Sequence, residues 1–146
     1  MTLFTQEVGW MAADFGIKDK NDCAIRAIAN VTTGKGYVML RQEMMDMGRK
    51  LNRGTPWHIL DKVYREQGAK TTLLWGKAGL KMKHLVNYSA ITEEGITLKR
   101  FVETHPTGRH IVIVRGHALA LVNGRIIDTV NNRLGKRVMA SYYFGE

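Results

Sequence analysis

The sequence predicts an α+β fold in which helices come first and an antiparallel sheet comes last. Three observations carry this. Apolar residues recur at helical spacing through the first half of the chain. The last third holds three short runs rich in β-branched and apolar residues, HIVIV, HALALV and RIIDTV. Asn123-Gly124 sits between the last two runs, and that dipeptide is the strongest short-range signal for a hairpin. At 146 residues, 45% hydrophobic and 24% charged, the chain has the size and balance of one domain spanning 1–146.

Residues 1–20 show no clear period; Phe4, Val8, Trp10, Met11 and Phe15 pack either across a groove or into the core. In the next segment, Asn21 or Asp22 caps a helix carrying Ala24, Ile25, Ile28 and Ala29. The β-branched Val31, Thr32 and Thr33, with Gly34 beyond, end it. A second helix is expected over about 37–51, with the stripe Tyr37, Leu40, Met44, Met47 and Leu51. Its four methionines, Met39, Met44, Met45 and Met47, make either a core stripe or an adaptable binding face, since Met fills irregular gaps.

Thr55 is the expected cap of a third helix and Pro56 its first residue, where the missing N–H costs nothing. Ile59, Leu60, Val63 and Tyr64 form its apolar face, and Gly68 stops it. TTLLW (71–75) reads as a strand. Residues 76–96 are ambiguous, with a short helix around Met82–Tyr88 as one reading. Thr97 caps a short helix with Leu98, Phe101 and Val102 inward, ended by Pro106 and Gly108. The tail MASYYF is read as an edge strand.

Composition narrows the function classes. A single cysteine rules out an internal disulfide. The N-terminal stretch lacks the basic start of a signal peptide, and no apolar run reaches the roughly 18 residues a membrane helix needs, so no membrane insertion and a cytoplasmic location are expected. The formal charge is +9, and residues 99–146 hold eight basic and three acidic side chains. Such a surface suits nucleic acid or an acidic protein, and it also aids solubility. His58, His84, His105 and His110 match no metal-ligand spacing, and no Gly-rich strand–turn–helix segment cradles a phosphate. No metal or cofactor is expected.

One constellation carries chemistry. Cys23 follows the capping residues, so it lies in the first turn of a helix. Backbone N–H groups there lower a thiol pKa and offer donors to an oxyanion. Taken alone, Cys23 reads more readily as an inert buried cysteine. The hairpin adds to it. With Asn123-Gly124 as a two-residue loop, Val122 pairs with Arg125, Leu119 faces Asp128 and His117 faces Val130. His117 and Asp128 then share a face as diagonal neighbours, with Leu119, Leu121 and Ile126 further in. A carboxylate holding an imidazole is the arrangement of a general base. A slip of one residue in register would turn Asp128 to solvent and leave Asn131 as either the orienting group or simply a turn residue. Trp10, Trp57 and Trp75 either line a cleft or pack in the core.

NDCAIRAIA and RHIVIVRGHALALVNGRIIDT resemble the short papain-like cysteine hydrolases of bacteriophage and bacterial genomes. In that group a DC-x-x-RAIA-like helix carries the nucleophile, and a GH, an apolar strand, NG or DG, and a second strand ending in D carry the base and its partner. GTPWHIL and RFVETHPTGR add to the likeness, which covers roughly residues 21–131. The resemblance implies a papain-like fold, with N-terminal helices packed on a C-terminal antiparallel sheet. It implies Cys23 as nucleophile, His117 as base and Asp128 as orienting acid. Papain-like enzymes usually carry an oxyanion-donating glutamine about six residues before the cysteine; here Ile17 stands there, and Asn21 is the candidate donor. The implied activity is a peptidase, isopeptidase or amidase acting on a peptide or another amide or ester, in the cytoplasm or, for a phage protein, the host cytoplasm or virion. The rival readings are a non-catalytic relative binding a host protein or nucleic-acid assembly, and a structural virion component.

Overall fold

In the computed structural model, described over residues 4–6 (backbone only), 19–32, 35–76, 95–128 and 133–146, helices precede most of the sheet. The elements run β1 (Phe4–Gln6), α1 (Cys23–Val31), α2 (Tyr37–Asp46), α3 (Trp57–Glu66), β2 (Lys70–Leu74), α4 (Leu98–Thr104), β3 (Arg109–Val114), β4 (His117–Val122), β5 (Arg125–Asp128) and β6 (Val138–Tyr143). The six strands lie in the order β1-β5-β4-β3-β6-β2. Five are antiparallel to their neighbours, and β1 joins β5 in parallel, with Gln6 level with Asp128.

Alternation along the strands divides the core in two. Ile111, Ile113, Ala118, Ala120, Ala140 and Tyr142 pack against α1, α2 and α3. Val112, Leu119, Leu121, Ile126 and Val138 pack against Leu98, Phe101 and Val102 of α4. The small Ala118 and Ala120 let α1 sit close on β4, where its buried Ile25 and Ile28 are fully shielded. Burying each such side chain is worth roughly 1.5–3 kcal/mol. α1 therefore lies directly over the strand that begins with His117.

Several local expectations are corrected. Asp22 is the α1 cap residue, but its side chain makes no capping bond; it accepts from the Tyr37 hydroxyl at 2.6 Å and pairs with Arg26 at 3.1 Å. α2 stops at Asp46 because Gly48, at φ 113°, breaks the helical path, so Leu51 is left 51% exposed rather than on the stripe. α3 starts at Trp57 with Pro56 as its cap, because Pro56 holds an extended ψ of 146°. MASYYF is no edge: β6 lies between β3 and β2, with Ala140 and Tyr142 buried. Thr97 does cap α4, its side chain accepting from the Arg100 N–H at 3.1 Å. Of the four methionines, Met44 is in the core and Met39 is 53% exposed. Trp10, the Met82–Tyr88 segment, Val130 and Asn131 fall outside the described residues.

Candidate active site

The turn that joins β4 to β5 builds one half of the site. Asn123 and Gly124 take φ of 49° and 80°, the left-handed pair that a tight hairpin loop demands. Val122 then pairs with Arg125, Leu121 with Ile126 and Ala120 with Ile127. That register carries Asp128 to the same face as His117. Nε2 of His117 meets Oδ2 of Asp128 at 2.5 Å, and the carboxylate is 3% exposed.

The other half comes from α1. Cys23 opens that helix and is the chain's one cysteine, partly buried. Its sulfur hydrogen-bonds to the His117 imidazole and accepts from the Ala118 N–H. Because Nε2 is taken by Asp128, Nδ1 is the imidazole nitrogen left for sulfur. His117 shares strand parity with Leu119 and Leu121, on the α4 side, whereas Cys23 comes from the opposite layer. They meet because His117 is the first residue of β4, at the end of the sheet.

The electrostatics follow from this contact. Burial alone pushes the Cys23 thiol up, but the His117 hydrogen bond, the Ala118 N–H and the charges of His117 and Arg26 outweigh it and hold the thiol below its ordinary value. The Asp128 hydrogen bond, with the one to Cys23, raises His117 to about 9 against the opposing effect of burial. Near neutral pH both shifts favour a thiolate beside an imidazolium.

The loop before Cys23 is held by a buried clasp. Arg49, whose side chain is fully buried, reaches Asp19 at 2.7 Å, and Arg41 reaches the same carboxylate at 2.9 Å. The Asn52 N–H donates to Asp19 at 2.8 Å, and Asn52 Oδ1 accepts from the Lys20 N–H at 2.8 Å. Burial pushes the Asp19 carboxyl up, yet the bonds from Arg49, Asn52 and Arg41 prevail and hold it at about 2. Below α1, the Tyr64 hydroxyl donates to the Ala24 carbonyl at 2.7 Å and fixes the residue after the cysteine.

Asn21 is not gathered with the other three residues. It is exposed at φ 59°, and its side-chain amide donates to the Asn52 carbonyl at 3.0 Å. It belongs to the clasp. The Ile25 and Arg26 N–H groups bond the Asp22 carbonyl, so the N–H groups of Cys23 and Ala24, ahead of them, have no helical acceptor.

Cys23 and His117 open onto a cavity of about 740 Å³. Trp57, Leu60, Trp75, Ile113 and Met139 supply apolar wall, and Gly54, Thr55, Gly76, Arg115 and Gly116 complete much of the rim. Trp57 and Trp75 thus line a cleft while also packing against the two core clusters. Sequence reasoning missed Arg115, the Ala118 N–H and the Asp19–Arg49–Asn52 clasp. The Arg-Gly before His117 was a readable turn signal for the first; the clasp joins residues too far apart in sequence to leave one.

His105 stacks on Phe101 with ring centroids 3.8 Å apart, and His110 is buried beside Tyr143. His58 is exposed on α3. Among the described residues, no three of His, Cys, Asp and Glu converge as a metal site, and no helix is long and apolar enough to cross a membrane. Compared with protein-family models, curated proteins and solved structures, the chain matches none of them.

Proposed function

We propose that the protein is a papain-like cysteine hydrolase that cleaves an amide or ester through a Cys23 acyl-enzyme. The observation that carries this reading is the single imidazole of His117, bonded on one side to Asp128 and on the other to the Cys23 sulfur. An inert core cysteine has no need of that pair, and a buried carboxylate–imidazole pair at the mouth of a cavity is costly unless it is used.

In the proposed cycle the Cys23 thiolate attacks the carbonyl carbon and forms an S–C bond, while the carbonyl oxygen takes up the negative charge. The N–H groups of Cys23 and Ala24, which have no helical acceptor, are the candidate donors for that oxyanion. Collapse breaks the bond to the leaving nitrogen or oxygen, which takes a proton from the His117 imidazolium. The neutral imidazole then removes a proton from water. The resulting hydroxide equivalent attacks the thioester and releases the acid, and the proton returns the Cys23–His117 pair to its starting state. Asp128 keeps Nε2 protonated throughout and stays ionised.

A p-nitrophenyl ester tests the reading. The expected result is a burst of one nitrophenolate per protein, with the acyl mass on the peptide containing Cys23, lost in Cys23→Ala and strongly reduced in His117→Ala. Equal hydrolysis by Cys23→Ala would sink it, and leave the non-catalytic binding protein as the better reading.

A further inference from the structure

The cavity beside Cys23 has an uneven chemistry. Among the described residues, its walls are apolar, no lining residue is acidic, and the one lining arginine is Arg115. Arg115 and Gly116 are the two corner residues between Val114 and His117, which pair directly across β3 and β4. Gly116 takes φ 75°, which the second corner of such a turn requires. The guanidinium is therefore carried by the same turn that presents the base. Arg115 is exposed and makes no ion pair with any described residue.

The charge extends beyond that turn. Val114 also pairs with Val138, which brings the exposed Lys136 and Arg137 to this end of the sheet. The Leu98 N–H bonds the Lys136 carbonyl at 2.8 Å, so Lys99 and Arg100 at the start of α4 stand beside them. Among the described residues the end of the sheet beside Cys23 thus carries an excess of basic side chains, Lys99 pairing with Glu103 at 4.0 Å, and that excess favours an anion at the cavity mouth.

We infer that the substrates carry a carboxylate next to a bulky apolar group, the apolar group filling the cavity and the carboxylate pairing with Arg115. This rests on the hydrolase reading and specifies its substrate class. An apolar pocket of this size accepts one large side chain or a short acyl segment, and a single positioned charge sets its orientation. The carboxylate has two sources, the free C-terminus of an apolar residue or an acidic side chain following one.

Four alkylating probes separate these cases: N-iodoacetyl-phenylalanine, its carboxamide, N-iodoacetyl-phenylalanyl-glutamic acid amide, and its glutamine counterpart. In each, the thiolate displaces iodide and forms the S–CH2 bond. Rates on Cys23 are divided by the same rates on glutathione. The expected result is that at least one acidic probe reacts about 5-fold faster than its neutral partner, as one favourable exposed ion pair allows. Preference for the first probe identifies a terminal carboxylate, and preference for the third an acidic side chain. Arg115→Ala should bring the ratio to that of glutathione, and Arg115→Lys should restore most of it. No acid preference, or a preference untouched in Arg115→Ala, overturns the inference. The rate with plain iodoacetamide reads thiol activation alone. A slow iodoacetamide reaction therefore counts against the hydrolase reading, and an absent acid preference against this inference.

Discussion

Oδ2 of Asp128 lies 2.5 Å from Nε2 of His117, across a hairpin whose two-residue turn fixes their register. The contact sets both the direction and the charge of the imidazole. With Nε2 held, Nδ1 is turned to Cys23, and the carboxylate beside the ring keeps it protonated up to about 9. Thiol and imidazole lower and raise each other's proton affinities in opposite senses, so neither group can be changed without moving the other.

The first prediction concerns the thiol. Cys23 alkylation by iodoacetamide should rise with a midpoint below the ordinary thiol value of about 8.5, because the His117 and Ala118 contacts outweigh burial. His117→Ala removes the largest of the opposing contacts and leaves burial dominant. The midpoint should then rise, and the rate at pH 6 should fall about tenfold for each unit of that rise. A pH–rate profile by mass spectrometry checks this. An unchanged midpoint would show that Cys23 is not activated by His117.

Asp128→Asn keeps the shape but replaces the carboxylate hydrogen bond that does most to raise His117, and removes the negative charge that adds to it. The imidazole pKa, read by NMR, should fall from about 9 toward the ordinary 6.5. The linkage has a definite sign. A group raised in the folded state adds stability that is fully present below its unfolded pKa, about 6.5, and is lost as pH rises through about 9. Urea midpoints of the native protein should therefore carry a falling component between those limits, and Asp128→Asn should flatten it.

Arg49→Ala tests the clasp before the nucleophile. It leaves the Asp19 carboxylate, fully buried in its side chain, without its closest partner. Breaking a buried pair from one side costs about 3–5 kcal/mol, read as a lower denaturant midpoint at unchanged m. Because Asp19 is held at about 2, its contribution is present above the ordinary carboxylate range and lost as pH falls through about 2. The variant should accordingly lose part of the native protein's acid sensitivity.

Tyr64→Phe removes only the hydroxyl that bonds the Ala24 carbonyl. Its expected cost is about 1 kcal/mol, the Ala24 carbonyl keeping its place in the helical ladder of α1. Cys23 alkylation should slow several-fold at pH 6, since the first turn of α1 loses the contact that sets its position. Normal alkylation in a destabilised Tyr64→Phe protein would mean that the hydroxyl supports packing alone.

Much of the sheet and of the site was legible in the sequence because the signals are local. Asn123-Gly124 names its own turn, and the turn fixes which residues stand level, so the His117–Asp128 pair could be read by counting. Thr97 showed itself as a cap for the same reason. Cys23 was legible only as the start of a helix; what it faces depends on how α1 lies over β4, and the buried small residues Ala118 and Ala120 decide that in three dimensions. Asn21 was read as the candidate oxyanion donor from its nearness to Cys23 in sequence. Its left-handed backbone turns the amide to Asn52, which no local pattern announces. The burial of β6 between β3 and β2 was hidden for a related reason: an apolar run looks the same at an edge as inside a sheet.

That position of β6 has a consequence for synthesis. Among the described residues β2 reaches the sheet only through β6, although residues 75–137 lie between the two in sequence. As the chain leaves the ribosome, the Thr-Leu-rich β2 emerges with α3 and then waits, its backbone donors and acceptors uncommitted, until residues 138–143 arrive. Over that interval it is a template for pairing with another nascent chain. Cys23 emerges earlier still, well before His117, so the contact between them forms only once the hairpin has closed.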